Sequence, residues 1–189
     1  ARLVRGTLNP YTILITGTEG KTGAKVQLHH LLKPQVAVHA VLDSNNRLIP
    51  VMRSLINLST SDKVEVNEVS VGSDVSQNML KTFTVNPDMC LYTHIGPNYM
   101  SIHGSMEVLI DRKASLVEGM RWAAPCLINS ANQYADQLID SIQKKRPDAR
   151  ILTYGIKDND QAQLVHYEFD KERFGWLVQA RILEQHVDY

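Results

Sequence analysis

The sequence predicts an α/β fold of P-loop type: a mostly parallel sheet with helices on both faces and a C-terminal antiparallel hairpin. Three observations lead there. Short apolar, β-rich runs alternate with helix-period segments from residue 12 to residue 154. A glycine-containing loop joins the first run to the first helical segment. After residue 160 the helical period disappears, leaving two strand-like runs around a turn. Strand–helix alternation puts helices over a parallel sheet, whereas two adjacent strand runs pair antiparallel.

Each element has a local signature. Residues 12–16, Thr-Ile-Leu-Ile-Thr, are a short buried strand, and a helix is expected over 21–32. Residues 36–42 read as the next strand and 50–58 as a helix with Pro50 near its first turn, where a missing N–H costs nothing. Residues 63–69 alternate charged and apolar side chains, as a strand does. A strand over 88–93 is followed by a helix over 105–118, whose stripe is Met106, Leu109, Ile110, Ala114 and Val117. A strand at 124–128, a helix at 133–145 and a strand at 150–154 complete the alternation. The runs 163–169 and 176–183 form the terminal hairpin.

The chain has 189 residues, enough for one domain with a sizeable core. Lys plus Arg number 20 and Asp plus Glu number 20, so net charge gives no reason to expect nucleic acid or an anionic membrane as partner. No apolar run has the length to span a bilayer, and no signal-peptide pattern is visible at the start. Cys90 and Cys126 each lie in an apolar stretch with no metal spacing, which suits buried thiols. A cytoplasmic location is expected.

The stretch Gly17-Thr18-Glu19-Gly20-Lys21-Thr22-Gly23 carries the strongest chemical signal. It follows a strand and opens a helix, so backbone N–H groups and the helix dipole can face phosphate oxygens. Lys21 can reach the terminal phosphates, and the Thr22 hydroxyl can ligate Mg²⁺. The general phosphate-loop pattern asks for glycine where Ile15 stands. A glycine turn capping an ordinary helix would look the same at this one point.

Further segments give the loop a context. Gly17–Thr22 resembles the G-T-N-G-K-T loop of the Mur ligase family, with Glu19 in place of asparagine. Glu68, in Val66-Asn67-Glu68-Val69-Ser70, resembles the family's E-V-S-S glutamate, which holds Mg²⁺ near the γ-phosphate. By itself, a glutamate ending a strand is equally a solvated edge charge. Residues 93–107, with His103-Gly104-Ser105-Met106-Glu107 at their end, resemble the family segment that leads into a helix carrying a lysine, here Lys113. In many members that lysine is carbamylated and helps to hold a second Mg²⁺; the plain alternative is a surface lysine. Asn129 and Asn132 resemble the pair that contacts adenine and ribose, and their spacing also suits a helix N-cap. Residues 150–155 resemble the strand-glycine element that follows, and Asp43 through Leu55 hints at the dipeptide-adding and cyanophycin-synthetase-like members.

The resemblance implies the central ATP-binding domain, spanning 1–189, of a carboxylate–amine ligase that uses ATP and Mg²⁺ and proceeds through an acyl phosphate. It further implies that the domains binding the acyl substrate and the amine substrate lie outside this chain, and that the isolated domain ligates nothing. The products expected are cell-wall-like, poly-amino-acid or specialised peptides. Lys21 and Lys113 take the catalytic roles; Gly17, Thr18, Glu19, Gly20, Lys21, Thr22, Gly23, Asn129 and Asn132 bind nucleotide; Thr22, Glu68 and a carbamylated Lys113 hold metal. One departure weighs on the second metal. The family's Asp-His pair is here Asn98-Tyr99, and tyrosine is a poor Mg²⁺ ligand. Lys113 is therefore expected to be unmodified in this chain, with His94 and His103 standing nearby either as substitute ligands or as polar loop residues. A catalytically degenerate regulatory or scaffold module, and an unrelated P-loop NTPase, are the competing readings.

Overall fold

The alternation closes into one nine-stranded sheet. The computed structural model describes residues 1–42, 47–97 and 100–188. A short helix α1 (Arg2–Leu8) leads into β1 (Tyr11–Thr16), α2 (Lys21–Leu32), β2 (Val38–Ala40), α3 (Leu48–Ile56) and β3 (Val64–Glu68). Then come α4 (Val75–Val85), β4 (Met89–Tyr92), α5 (Met100–His103), α6 (Met106–Ala114) and a 3₁₀ turn (Ser115–Gly119). The chain continues through β5 (Pro125–Asn129), α7 (Ala135–Lys145), β6 (Arg150–Gly155), β7 (Ala162–Asp170), β8 (Gly175–Ile182) and β9 (Gln185–Asp188). Strand order is β2-β3-β1-β4-β5-β6-β7-β8-β9. Pairing is parallel as far as β7, where Tyr154 faces Ala162, and antiparallel from β7 to β9.

Side-chain alternation along β1 sorts the core into two layers. Ile13 and Ile15, with Val66 of β3, pack against Ala24, Leu28 and Leu32 of α2. Leu14, Cys90, Tyr92, Cys126 and Ile128 point to the other face and meet α3, α6, α7 and the 3₁₀ turn through Leu55, Leu109, Leu116, Leu138 and Ile142. The α/β class, the parallel sheet and both helix layers are thus as expected. The packing is close: a Cβ on Gly119 would come within 2.4 Å of the Thr82 backbone, so only glycine lets the 3₁₀ turn lie on α4.

Strand order also locates the site. From β1 the chain crosses to β2 and β3 on one side, and later to β4, β5 and β6 on the other. Such a reversal opens a crevice at the carboxyl ends of the strands, between β1 and β4.

Several expectations need correction. The strand expected over 36–42 is only Val38–Ala40, and residues 43–46 lie outside the described residues. The helix expected at 50–58 begins at Leu48, with Pro50 still in its first turn. The helix expected over 105–118 leaves α geometry at Ala114 and finishes as the 3₁₀ turn. The terminal hairpin is a three-stranded meander, because β9 pairs with β8. Its two-residue turn, Leu183-Glu184, has positive φ at both positions without the usual glycine or asparagine. Helix α4 has no apolar stripe: it buries Asn78, Lys81, Thr82 and Thr84 beside Val85. Its ends are nonetheless marked, by the Asp74 carboxylate accepting from the Gln77 N–H and by left-handed Asn86.

Candidate phosphate site

The loop between β1 and α2 is stitched to the end of β4. The N–H groups of Thr18 and Glu19 donate to the His94 carbonyl at 2.7 and 3.4 Å. The Thr93 hydroxyl lies 3.1 Å from the Thr16 carbonyl and 2.5 Å from that of Glu19, and the Thr18 hydroxyl accepts from the Gly96 N–H at 3.2 Å. This close approach requires glycine at 17: a Cβ there would sit 2.0 Å from Thr93 Oγ1. Gly20, at φ 79°, supplies the left-handed residue that turns the chain into α2. Glu19 is exposed at the loop tip, Gly23 has open space around it, and Thr22 sits half-buried in the first turn of α2.

Two lysines converge on the loop. Lys21 Nζ donates to the carbonyls of Gly17 and Thr18 at 3.0 and 2.9 Å. Lys113, carried over from α6, donates to the same Gly17 carbonyl at 2.8 Å. Lys113 is not a surface lysine: only 3% of it is exposed. Burial, aided by the charge of Lys21, pushes its ammonium down to about 7. A large neutral fraction at neutral pH follows, which an ordinary surface lysine would not have. Burial also lowers Lys21, against the pull of Glu68 and Glu19.

Glu68 ends β3 one strand away, beside Ile15 in register. It is buried, not a solvated edge charge, and pairs with Lys25 at 3.3 Å. Lys25 lies one helical turn after Lys21 and escaped notice in the sequence; the four-residue spacing was the available signal. Two residues of α4 brace the next loop: Lys81 donates to the Ser70 carbonyl at 2.7 Å, and Asn78 makes two bonds to the Gly72 backbone. Gly17, Thr18, Lys21, Ser70, His103 and Lys113 enclose a cavity of about 50 Å³. Among the described residues no three His, Cys, Asp or Glu side chains converge. Thr22 and Glu68 offer one hydroxyl and one carboxylate, hard oxygen donors that suit Mg²⁺ held chiefly by phosphates and water. Asn98 and Tyr99 lie outside the described residues.

His94 and His103 part ways. His94 is an exposed strut whose Nδ1 accepts from the Asn132 amide at 3.0 Å. The same amide nitrogen donates to the Ile95 carbonyl at 2.8 Å, while Asn132 Oδ1 accepts from the Tyr134 N–H. Both amide hydrogens of Asn132 are thus committed to protein. His103 is buried on the cavity wall, its imidazole lowered by burial and by Arg112 and Lys113. Asn129 caps β5, its side chain accepting from the Ala131 N–H at 3.0 Å. It borders a cavity of about 430 Å³ lined by Tyr154, Ile156, Leu164, Ala180 and Ile182. At about 4.8 Å per strand, β5 stands roughly 10 Å from β1 along the same sheet edge.

Comparison with known proteins places the chain in a family. The family model of the Mur ligase middle domain matches residues 15–187. A UDP-N-acetylmuramoyl-tripeptide--D-alanyl-D-alanine ligase of Haemophilus influenzae is 26% identical over 170 residues, covering 88% of this chain and 36% of that protein. A UDP-N-acetylmuramoylalanine--D-glutamate ligase of Clostridium acetobutylicum is 25% identical over 124 residues, covering 66% of this chain and 25% of that protein. Two solved structures share the fold. MurF from Acinetobacter baumannii superposes with a TM-score of 0.85 at 13% identity, over 99% of this chain and 40% of that one. MurF ligase from Thermotoga maritima in complex with ADP gives 0.78 at 17% identity, over 99% and 42%. This chain therefore spans roughly a quarter to two-fifths of the length of these relatives. Among the described residues no helix is long and apolar enough to cross a membrane.

Proposed function

The chain belongs to the Mur ligase middle-domain family, and from that premise we propose that it is the ATP-binding domain of a ligase joining a carboxylate to an amine. The observation that carries the proposal is the convergence of Lys21 and Lys113 on the Gly17 carbonyl, inside a glycine loop pinned to β4. Two lysine amines, that of Lys21 charged, and a helix N-terminus at one point suit a polyphosphate. The Asn129 cavity, two strands along the same edge, is at the right reach for the nucleobase. In that role Asn129 meets the base, while Asn132 braces the wall and has only a lone pair of Oδ1 left for a ribose hydroxyl.

In the proposed reaction, a substrate carboxylate attacks the γ-phosphoryl group and ADP leaves. The acyl phosphate is then attacked by the amine, giving an amide and phosphate. The chain's own task is positioning and charge neutralisation. Lys21 draws the terminal phosphoryl group into line. Thr22 and Glu68 would hold a Mg²⁺, which when bound neutralises phosphate charge, and Lys25 keeps the Glu68 carboxylate in place. The neutral fraction of Lys113 is the form that can take up CO₂ as a carbamate, a ligand for a second metal. The domains that bring in acyl and amine substrates belong to the longer protein that the relatives' lengths imply, and amide synthesis requires them.

Titration calorimetry of this chain with the Mg²⁺ complex of β,γ-imido-ATP tests the proposal. We expect micromolar to millimolar binding that Lys21→Ala weakens roughly 10- to 150-fold, and no amide formation by this chain alone. Absence of binding by the folded wild-type chain, or unchanged binding by Lys21→Ala, would refute the nucleotide assignment.

A further inference from the structure

We infer that Arg112 fixes the tautomer of His103, so that this imidazole serves the phosphate cavity as a neutral hydrogen-bond donor through Nε2–H and not as a metal ligand. The tautomer follows from contacts within the chain; the ligand, a terminal phosphoryl oxygen, rests on the nucleotide reading above.

Arg112 Nη1 lies 2.8 Å from His103 Nδ1. A guanidinium has five N–H donors and no acceptor, so Nδ1 must supply a lone pair. With Nδ1 unprotonated, the ring is neutral and its one proton is on Nε2. The contact is anchored twice, because the same Nη1 also donates to the Ile102 carbonyl at 3.2 Å. Arg112 thereby reaches from the end of the second turn of α6 to α5, one residue before Lys113. The ring has little freedom to rotate out of register, since His103 is only 7% exposed.

Nε2 has no hydrogen-bond partner among the described residues, and His103 lines the cavity with Gly17, Lys21 and Lys113. A neutral imidazole coordinates a cation through its bare nitrogen. Here that nitrogen is occupied by Arg112, and the other carries the proton. The guanidinium behind the ring also disfavours a second cation in front of it. What the ring offers the cavity is one directional donor without added charge, complementing the two lysines on an anionic phosphoryl oxygen. His103 would touch the ligand, whereas Arg112 acts through it as a positioning residue.

Long-range ¹H–¹⁵N spectra of the chain labelled at histidine, with His103 assigned by loss of its signals in His103→Gln, read the tautomer directly. We expect a bare Nδ1 and a protonated Nε2, both alone and with Mg²⁺ and β,γ-imido-ATP. Arg112→Leu should shift the ring to a mixture, and Arg112→Lys, also donor-only, should restore much of the bias. In calorimetry, His103→Ala should weaken β,γ-imido-ATP about tenfold, the scale of one hydrogen bond to a charged group. It should leave ADP nearly unchanged, and His103→Gln, whose amide N–H has similar reach, should recover most of the loss. A protonated Nδ1 with bare Nε2 in the Mg-nucleotide complex would overturn the inference. So would undiminished β,γ-imido-ATP binding by folded His103→Ala when Lys21→Ala weakens it. If the wild-type chain binds no nucleotide, the functional reading falls, and the tautomer stands or falls on the nitrogen shifts alone.

Discussion

Replacing Lys113 with methionine should stabilise the chain at pH 6 and remove a rise in stability that the wild type shows between about pH 7 and pH 10. The Lys113 ammonium falls from its ordinary 10.5 to about 7, because burial penalises its charge and Lys21 adds to the penalty. At 1.36 kcal/mol per pKa unit, holding that charge costs the fold on the order of 5 kcal/mol. In the unfolded chain the lysine keeps its proton to near 10.5, and in the folded chain it loses it near 7. Between those values the unfolded state binds more protons, so stability climbs with pH; below pH 7 both states are protonated and the full cost applies. Methionine keeps the length and apolar stem without the charge. It forfeits the bond to the Gly17 carbonyl, worth about 1 kcal/mol, but that carbonyl still receives Lys21. With relaxation around the wild-type charge, the net gain at pH 6 should be about 2–4 kcal/mol, vanishing by pH 10. Urea unfolding at pH steps from 6 to 10, at constant ionic strength, measures it. Parallel stability curves for the two proteins, or a mutant less stable at pH 6, would show that Lys113 does not carry a buried charge.

Three further outcomes are expected. Lys21→Ala should lower nucleotide affinity roughly 10- to 150-fold, the loss of a charge-assisted bond, while the melting temperature changes by no more than about 3 °C, because only loop carbonyls receive this ammonium; calorimetry and a thermal melt check both halves. Gly17→Ala forces a Cβ to 2.0 Å from Thr93 Oγ1, so either the loop or the Thr93 hydroxyl must move. The cost should be about 2–4 kcal/mol, with Gly17→Ala/Thr93→Ala costing less than the sum of the single changes in a double-mutant cycle by urea unfolding. Glu65, buried and bonded by Asn67 at 2.6 Å, is raised by burial from 4.5 to about 7. Here the folded state binds the extra proton, so wild-type stability should fall as pH rises from about 4.5 to 7, and Glu65→Gln should flatten that fall in the same unfolding series.

The sequence alone determined the class of fold and the place of the glycine loop between the first strand and the first long helix, because both depend on local pattern. A strand of β-branched and aliphatic residues, a Gly-x-x-Gly-Lys-Thr turn and a helical segment after it read the same in any context. The resemblance extended that reading to Glu68, Lys113 and Asn129 by residue order, and the family it named is the one whose model matches residues 15–187. Helix α4 was hidden because its buried face is polar, and its lysine and asparagine gain meaning only against the 70–72 loop. Strand β9 was hidden because its turn lacks glycine. What only the tertiary structure decided is the charge state of the site. Lys113 looks like any lysine on a helix until α6 is laid against the loop, and burial then pushes its ammonium down to about 7. Glu68 becomes a buried partner of Lys25 only when α2 covers β3. The identity of the protonated nitrogen on His103 depends on a guanidinium nine residues away, delivered by the angle between α5 and α6. Periodicity reports which face a side chain occupies, whereas solvation and pair distances arise only when separate segments are packed together.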